Sequence, residues 1–228
     1  MNAKQEKPQE VDIHASVDIT EIKMAALDLS LPTVLLIIDN HAAFDKEAYW
    51  GKRSNPQYKE NVTALINAFR DAHARNPHIE VIHIGHSSTN VKSVLHPYHP
   101  DGGPAFYPFT EPIPDELVFW KNVNSALVGT DLEKTLRAKG VRQLLLLGLT
   151  AEHCVSTTTR MAANLGVTNA PDGSTDGRVI LVEDATASFP CGRFDADTVH
   201  GVSVATLREF AEVVQTADVL RDLQPLLS

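Results

Sequence analysis

From about residue 31 the apolar positions follow two alternating patterns. Thr33–Ile38 (TVLLII) is a short, wholly apolar, β-branched-rich run, the pattern of a strand buried on both faces. Val62, Leu65, Ile66 and Phe69 then recur at i, i+3, i+4 and i+7, along one face of a helix that Asn76 and Pro77 stop. Val81–Ile84 reads as a second strand and Leu117–Trp120 as a third. Thr130 and Glu133 have the spacing of a capping box, with Leu132 and Leu136 on one helical face before Gly140. Leu144–Leu147 is another buried strand, a helix follows over about 152–165, and Val179–Val182 is a strand. Val199, Val202, Leu207 and Phe210 mark a helix, and Val213 with Val214 a last strand.

Strands alternating with helices predict an α/β domain. Its expected form is a three-layer α/β/α, Rossmann-like fold around a mostly parallel sheet of about six strands. With no internal repeat or linker, residues 31–228 are expected to form one domain, and residues 1–30 a partly disordered extension. The extension lacks the apolar run of a signal peptide, and no stretch reaches the roughly 18 apolar residues of a membrane span. A cytoplasmic protein with no membrane partner is the expectation. The Pro-, Gly- and His-rich stretch from about 87 to 116 reads as a long loop, and such loops often carry function.

Charge and cysteine content narrow the classes. The 228 residues hold 20 Lys and Arg against 29 Asp and Glu, a formal charge of −9. Nucleic acid is therefore not an expected partner, because it requires clustered cations that displace counterions. Two cysteines, Cys154 and Cys191, cannot build a disulfide framework and read as reduced thiols.

In an open parallel sheet, ligands gather at the carboxyl ends of the strands. The residues just past those ends are Asp39, His86, Lys121, Thr150 to Cys154, and Asp184. Cys154 opens a helix, where unpaired N–H groups and a positive potential favour a thiolate. Asp39 directly follows an apolar strand, and apolar walls raise a carboxyl toward the range of a working base. Lys121 beside both would keep the acid ionised and lower the thiol pKa. Cys191, in a Phe-Pro-Cys-Gly turn, has no such context and reads as inert.

These residues sit in segments that resemble the isochorismatase-like cysteine hydrolases. LLIIDNHAAF, Leu35 to Phe44, is similar to the family's I-D-x-Q-x-x-F motif, and GLTAEHCV, Gly148 to Val155, to its G-x-x-T-x-x-C-V nucleophile motif. Lys121 in KNVNSALVGTDLEKTLR matches the family lysine, and Asp184-Ala185 after an apolar strand also fits. The resemblance runs from about residue 32 to 216. It implies an Asp39–Lys121–Cys154 triad that cleaves a C–N bond in a small amide. Asp39 would take the thiol proton, and the Thr150 and Cys154 N–H groups, next to a cis Leu149–Thr150 peptide, would hold the oxyanion. The resemblance further implies a pocket wall at Phe44 and a dimer or tetramer, and no cofactor is expected.

The departures from the family pattern also inform. His41 stands where the family usually has Gln, and Leu127 where it usually has Phe. Nicotinamidases of this superfamily carry a metal-binding Asp-x-His where this chain reads His86-Ser87-Ser88, so no metal is expected. His83 and His86, three apart on a strand, face opposite sides and cannot chelate together. His96 and His99 read as loop polarity or substrate contact. Within the turn-rich Tyr49–Pro56 segment, Trp50 and Arg53 suit a planar or anionic substrate. His86, and Asn124 close to Lys121, complete the expected substrate-binding set.

Three other functions compete. A vinyl-ether hydrolase of the isochorismatase type would not require the thiol, and a non-catalytic binding protein could share the fold. His153-Cys154 with Arg160 also matches the H-C-x5-R pattern of cysteine phosphatases, although no glycine lies inside that loop to admit a phosphate.

Overall fold

A computed structural model describes residues 27–100, 102–174 and 177–227, so most of the expected extension lies outside the described residues. Six strands form one sheet: β1 (Thr33–Ile38), β2 (Ile79–His86), β3 (Leu117–Lys121), β4 (Gln143–Leu149), β5 (Arg178–Ala187) and β6 (Glu212–Val214). Their order is β3-β2-β1-β4-β5-β6, and every neighbouring pair is parallel. The chain builds outward from β1 to β3, then returns to the centre and builds outward again from β4. The order therefore reverses between β1 and β4, the position at which such sheets open a crevice.

Among the described residues the α-helices are α1 (Glu47–Trp50), α2 (Tyr58–His73), α3 (Leu132–Ala138), α4 (Ser156–Asn164), α5 (Ala196–Leu207) and α6 (Thr216–Leu227). Every residue of β1 and β4 is buried, and the period-2 alternation of a strand divides them between two cores. Leu35, Ile37, Leu145 and Leu147 meet Val62, Leu65 and Phe69 of α2 and Leu223 of α6. Val34, Leu36, Leu144 and Leu146 meet Leu132 and Leu136 of α3, Ala162 of α4 and Leu207 of α5. This is the expected three-layer α/β/α arrangement.

The structure departs from the pattern reading at the element ends. β2 and β5 run past their apolar stretches because backbone pairing continues there; β5 shifts register between the partners of Leu146 and Gly148. Asp184 thus lies within β5, and its Oδ1 accepts from the Thr216 N–H at 2.7 Å and the Thr216 hydroxyl at 2.8 Å. It anchors the start of α6, a helix the periodicity did not mark. Thr130 and Glu133 do not form a capping box: the Thr130 hydroxyl accepts from the Leu132 N–H, while Glu133 pairs with Arg137. Leu27 is buried against the α2–α6 side and Asp28 is bonded to Gln143, so packing begins slightly before residue 31.

The long stretch after β2 is tied to the segment after β1. The Ala42 N–H donates to the Ala105 carbonyl at 2.9 Å, and the Tyr107 N–H to the Asn40 carbonyl at 2.8 Å. Where β1 and β4 meet, Gly148 has φ of 124°, and a Cβ there would sit 2.0 Å from the Ile38 carbonyl oxygen. Only glycine permits that approach. Gly148→Ala is expected to cost about 3 kcal/mol or more of stability. Gly201→Ala, inside α5 with nothing within 4 Å of the added Cβ, should instead gain about 0.5–1 kcal/mol. Urea midpoints of the two variants check both signs, and an unchanged midpoint for Gly148→Ala would contradict the close contact.

Candidate active site

Four strand ends deliver the candidate chemistry to one place. Asp39 leaves β1 with φ of 49°, and its N–H donates to the Ile84 carbonyl at 2.9 Å, which holds the turn against β2. Lys121 is the last residue of β3, and its side chain is 0% exposed. Its Nζ lies 2.6 Å from Asp39 Oδ2, 3.0 Å from His86 Nδ1 at the end of β2, and 3.4 Å from Cys154 Sγ. Cys154 sits in a π-helical turn, Ala151–Val155, between β4 and α4. The structure thus brings Asp39, Lys121 and Cys154 together and adds His86 to them.

Burial dominates the electrostatics. It pushes the Asp39 carboxyl up, against the Lys121 charge. It also pushes the Cys154 thiol well up, and the Asp39 charge adds to that, against Lys121 alone. The expected lowering of the thiol pKa is therefore corrected: removal from water and a neighbouring carboxylate outweigh the lysine. Burial, then the Lys121 charge, lowers His86 to about 4. Burial, then Lys121 and then His86, lowers His41 to about 3. Both imidazoles are neutral at neutral pH. An Nδ1 facing an ammonium must accept, so the His86 proton sits on Nε2.

His41, noted as a departure, holds the site from behind. Its Nε2 accepts from the His86 backbone N–H at 2.8 Å, which ties the exit of β1 to the end of β2. Its ring stacks against Phe106 and Trp120, with centroids 5.2 and 6.0 Å away. Donor atoms of Asp39, His86 and Cys154 all lie within 4.8 Å of one another, a spacing that could suit a metal ion. The Lys121 ammonium already contacts all three, so a second cation does not fit there.

The other expected residues divide. The Leu149–Thr150 peptide is cis, and the Thr150 carbonyl accepts the His153 and Val155 N–H groups at 3.1 and 3.2 Å. The Thr150 hydroxyl is buried with no hydrogen-bond partner among the described residues. Phe44 is buried, with ring centroids 4.8 Å from Trp50 and 5.8 Å from Phe189. Trp50 donates its indole N–H to the Ala43 carbonyl at 3.0 Å. Arg53 lies over the Tyr58 ring and pairs with Asp45 at 3.5 Å. Trp50 and Arg53 are thus engaged within the protein, and no hydrogen bond or ion pair among the described residues joins either to the triad. Asn124 is exposed on the turn after β3, with no such link to Lys121 among the described residues.

A cavity of about 530 Å³ opens beside Lys121, lined by Ser87, Ser88, Thr89, His96, Trp120 and Asn122 among others. Sequence reasoning missed most of these, although Ser87 follows β2 directly and Trp120 immediately precedes the lysine. Gly85 makes room here, since a Cβ on it would meet the Trp120 ring at 2.4 Å. Arg160 is not part of a phosphate cradle: its guanidinium lies over the Phe210 ring and donates to the Thr206 hydroxyl at 2.9 Å. Cys191 is an exposed free thiol in its turn.

With this geometry in view, likeness to known proteins is informative. The isochorismatase domain model matches residues 33–218. An uncharacterised isochorismatase family protein of Bacillus subtilis, YrdC, is 35% identical over 194 residues, covering 82% of this chain and 94% of that protein. A solved structure from Chromobacterium violaceum, assigned to the hydrolases of the isochorismatase family, is 37% identical with a TM-score of 0.74. It covers 88% of this chain and 98% of that one. The ureidoacrylate amidohydrolase RutB of Agrobacterium fabrum is 26% identical over 117 residues, 49% of this chain and 47% of that protein.

The neutral His41 makes a signed prediction. Its folded pKa, about 3, lies below the usual value near 6.5, so on acidification the unfolded chain takes up the proton first. His41 therefore costs no stability above about pH 6.5, and stability falls by up to about 1.4 kcal/mol per pH unit below it. His41→Gln keeps an acceptor for the His86 N–H and removes the titration. Urea midpoints between pH 7 and 4 should fall less steeply for this variant than for wild type; equal slopes would contradict the assignment.

Proposed function

The chain belongs to the isochorismatase family of hydrolases, and from that premise we propose that it cleaves an amide-type C–N bond of a small molecule through Asp39, Lys121 and Cys154. The observation that carries this reading is the contact of one buried ammonium with both the Asp39 carboxylate, at 2.6 Å, and the Cys154 sulfur, at 3.4 Å. The distant likeness to a ureidoacrylate amidohydrolase supports C–N chemistry.

The raised thiol and the raised carboxyl suit one another. At rest Cys154 keeps its proton. As the sulfur adds to the substrate carbonyl, the proton passes to Asp39, whose upward shift makes it a stronger base than an exposed aspartate. Lys121 balances the negative charge that moves from carboxylate to sulfur. The oxyanion of the tetrahedral intermediate falls to the backbone N–H groups of Thr150 and Cys154, where the π-helical turn leads into α4. Asp39 returns its proton to the departing amine, the C–N bond breaks, and an acyl thioester remains on Cys154. Water, activated by Asp39, then adds to the thioester and releases the carboxylic acid and the free thiol.

The cavity beside Lys121 is lined by hydroxyl and amide side chains and not by Asp39 or Cys154, so it suits a polar part of the substrate away from the reacting carbonyl. The family resemblance supports a homo-oligomer, and two cysteines with no disulfide between them support a cytoplasmic location. Among the described residues no helix is long and apolar enough to cross a membrane.

A panel of small amides, ureas and lactams, read by release of ammonia or acid, tests the reading. Cys154→Ala should lower turnover at least about thousandfold, while Cys191→Ala stays within about twofold of wild type because its thiol is exposed and, among the described residues, no hydrogen bond joins it to Asp39, Lys121 or Cys154. Amide turnover that survives in Cys154→Ala would overturn the covalent step, and hydrolysis of a vinyl ether by that variant would favour the isochorismatase-type reaction, which needs no thiol.

A further inference from the structure

Lys121 has one acceptor more than an Asp–Lys–Cys triad requires. An ammonium carries three N–H donors in fixed tetrahedral directions. Here three acceptors face it, at 2.6 Å (Asp39 Oδ2), 3.0 Å (His86 Nδ1) and 3.4 Å (Cys154 Sγ). Resting on the reading of Cys154 as nucleophile, we propose that His86 is a positioning residue: by accepting one N–H of Lys121 it fixes the ammonium's rotation and aims the remaining N–H at the Cys154 sulfur.

Three observations support this assignment. First, His86 is anchored independently of the lysine, since its backbone N–H donates to the buried His41 ring. Second, the lysine side chain is 0% exposed, so an N–H deprived of His86 has no ready access to water and must turn toward another acceptor. The contact to sulfur is the longest of the three and the weakest acceptor, so it is the first to be lost on such a turn. Third, His86 stays neutral, lowered to about 4 by burial and the Lys121 charge, and only a neutral imidazole can accept. The charged and titratable groups around it are Lys121 from β3, Asp39 from the end of β1 at 4.0 Å, His41 beyond it, and Cys154 across the lysine. The role is distinct from the substrate contact expected of His86 from sequence.

The test reads the thiol and needs no substrate. In a Cys191→Ala background, the rate of Cys154 alkylation by iodoacetamide is measured against pH, with the modified peptide identified by mass spectrometry. His86→Leu and His86→Ala both remove the acceptor, whereas His86→Asn puts an amide oxygen near the position of Nδ1. Leu and Ala should slow alkylation about tenfold at each pH between about 6 and 9, equivalent to one further unit on an already raised thiol. Asn should return the rate to within about threefold of wild type. An alkylation rate unchanged in the Leu and Ala variants, or an Asn variant that behaves like Leu, would overturn the proposal. Failure of the underlying reading looks different: turnover that survives Cys154→Ala removes the nucleophile without altering the alkylation profile or its dependence on residue 86.

Discussion

A lysine ammonium with no exposure to solvent, shared by a carboxylate, an imidazole and a thiol, is the constraint on which the rest of the structure depends. Taking a carboxylate and an ammonium out of water costs several kcal/mol each, and their attraction compensates only when geometry is close and the remaining donors are satisfied. Here the partners come from the ends of β1, β2, β3 and the turn after β4. An error in the register of any of those strands would strand a charge. The all-parallel sheet meets the requirement because each strand ends at the same edge, and the reversal of order between β1 and β4 leaves that edge open.

Register in turn depends on two places where side chains are absent. Ile38 lies opposite both Ile84 and Gly148, and the missing side chain at Gly148 lets the Ile38 carbonyl approach where any Cβ would collide. His86 lies opposite Lys121, and one step earlier Gly85 lies opposite Trp120, whose ring occupies the space a side chain would fill. Trp120 also stacks on His41, so the aromatic layer behind the site and the hydrogen bond from His86 to His41 are one assembly. Packing and the candidate site are therefore joined at His86, which lies opposite Lys121, bonds the His41 ring through its N–H and contacts the ammonium through Nδ1.

Much of this was legible in the chain. Thr33–Ile38 and Leu144–Leu147 read as fully buried strands because both faces of a central parallel strand need apolar residues, and the structure buries them on both faces. Asp39, Lys121 and Cys154 could be singled out because each follows an apolar strand in a fold that opens at that edge. The sign of the thiol shift was not legible, since it depends on how much water the finished fold excludes. Trp50 and Arg53 carry suitable chemistry, but a local pattern cannot reveal that Ala43, Tyr58 and Asp45 already engage them. α6 escaped notice because Pro225 and its alternating charges obscure the apolar face that covers α2. The bond from Lys121 to His86 joins residues 35 apart and becomes visible only once β2 and β3 are paired.

The proposed reaction requires that the thiol held at this junction form a covalent bond to substrate. The most direct test is acid-quenched mass spectrometry of the enzyme during turnover of an amide it hydrolyses. The peptide containing Cys154 should gain the mass of the substrate's acyl group, with Cys191 unmodified, and the adduct should disappear when substrate is exhausted. Steady turnover with no acyl mass on Cys154, with quenching faster than hydrolysis of a thioester, would contradict it.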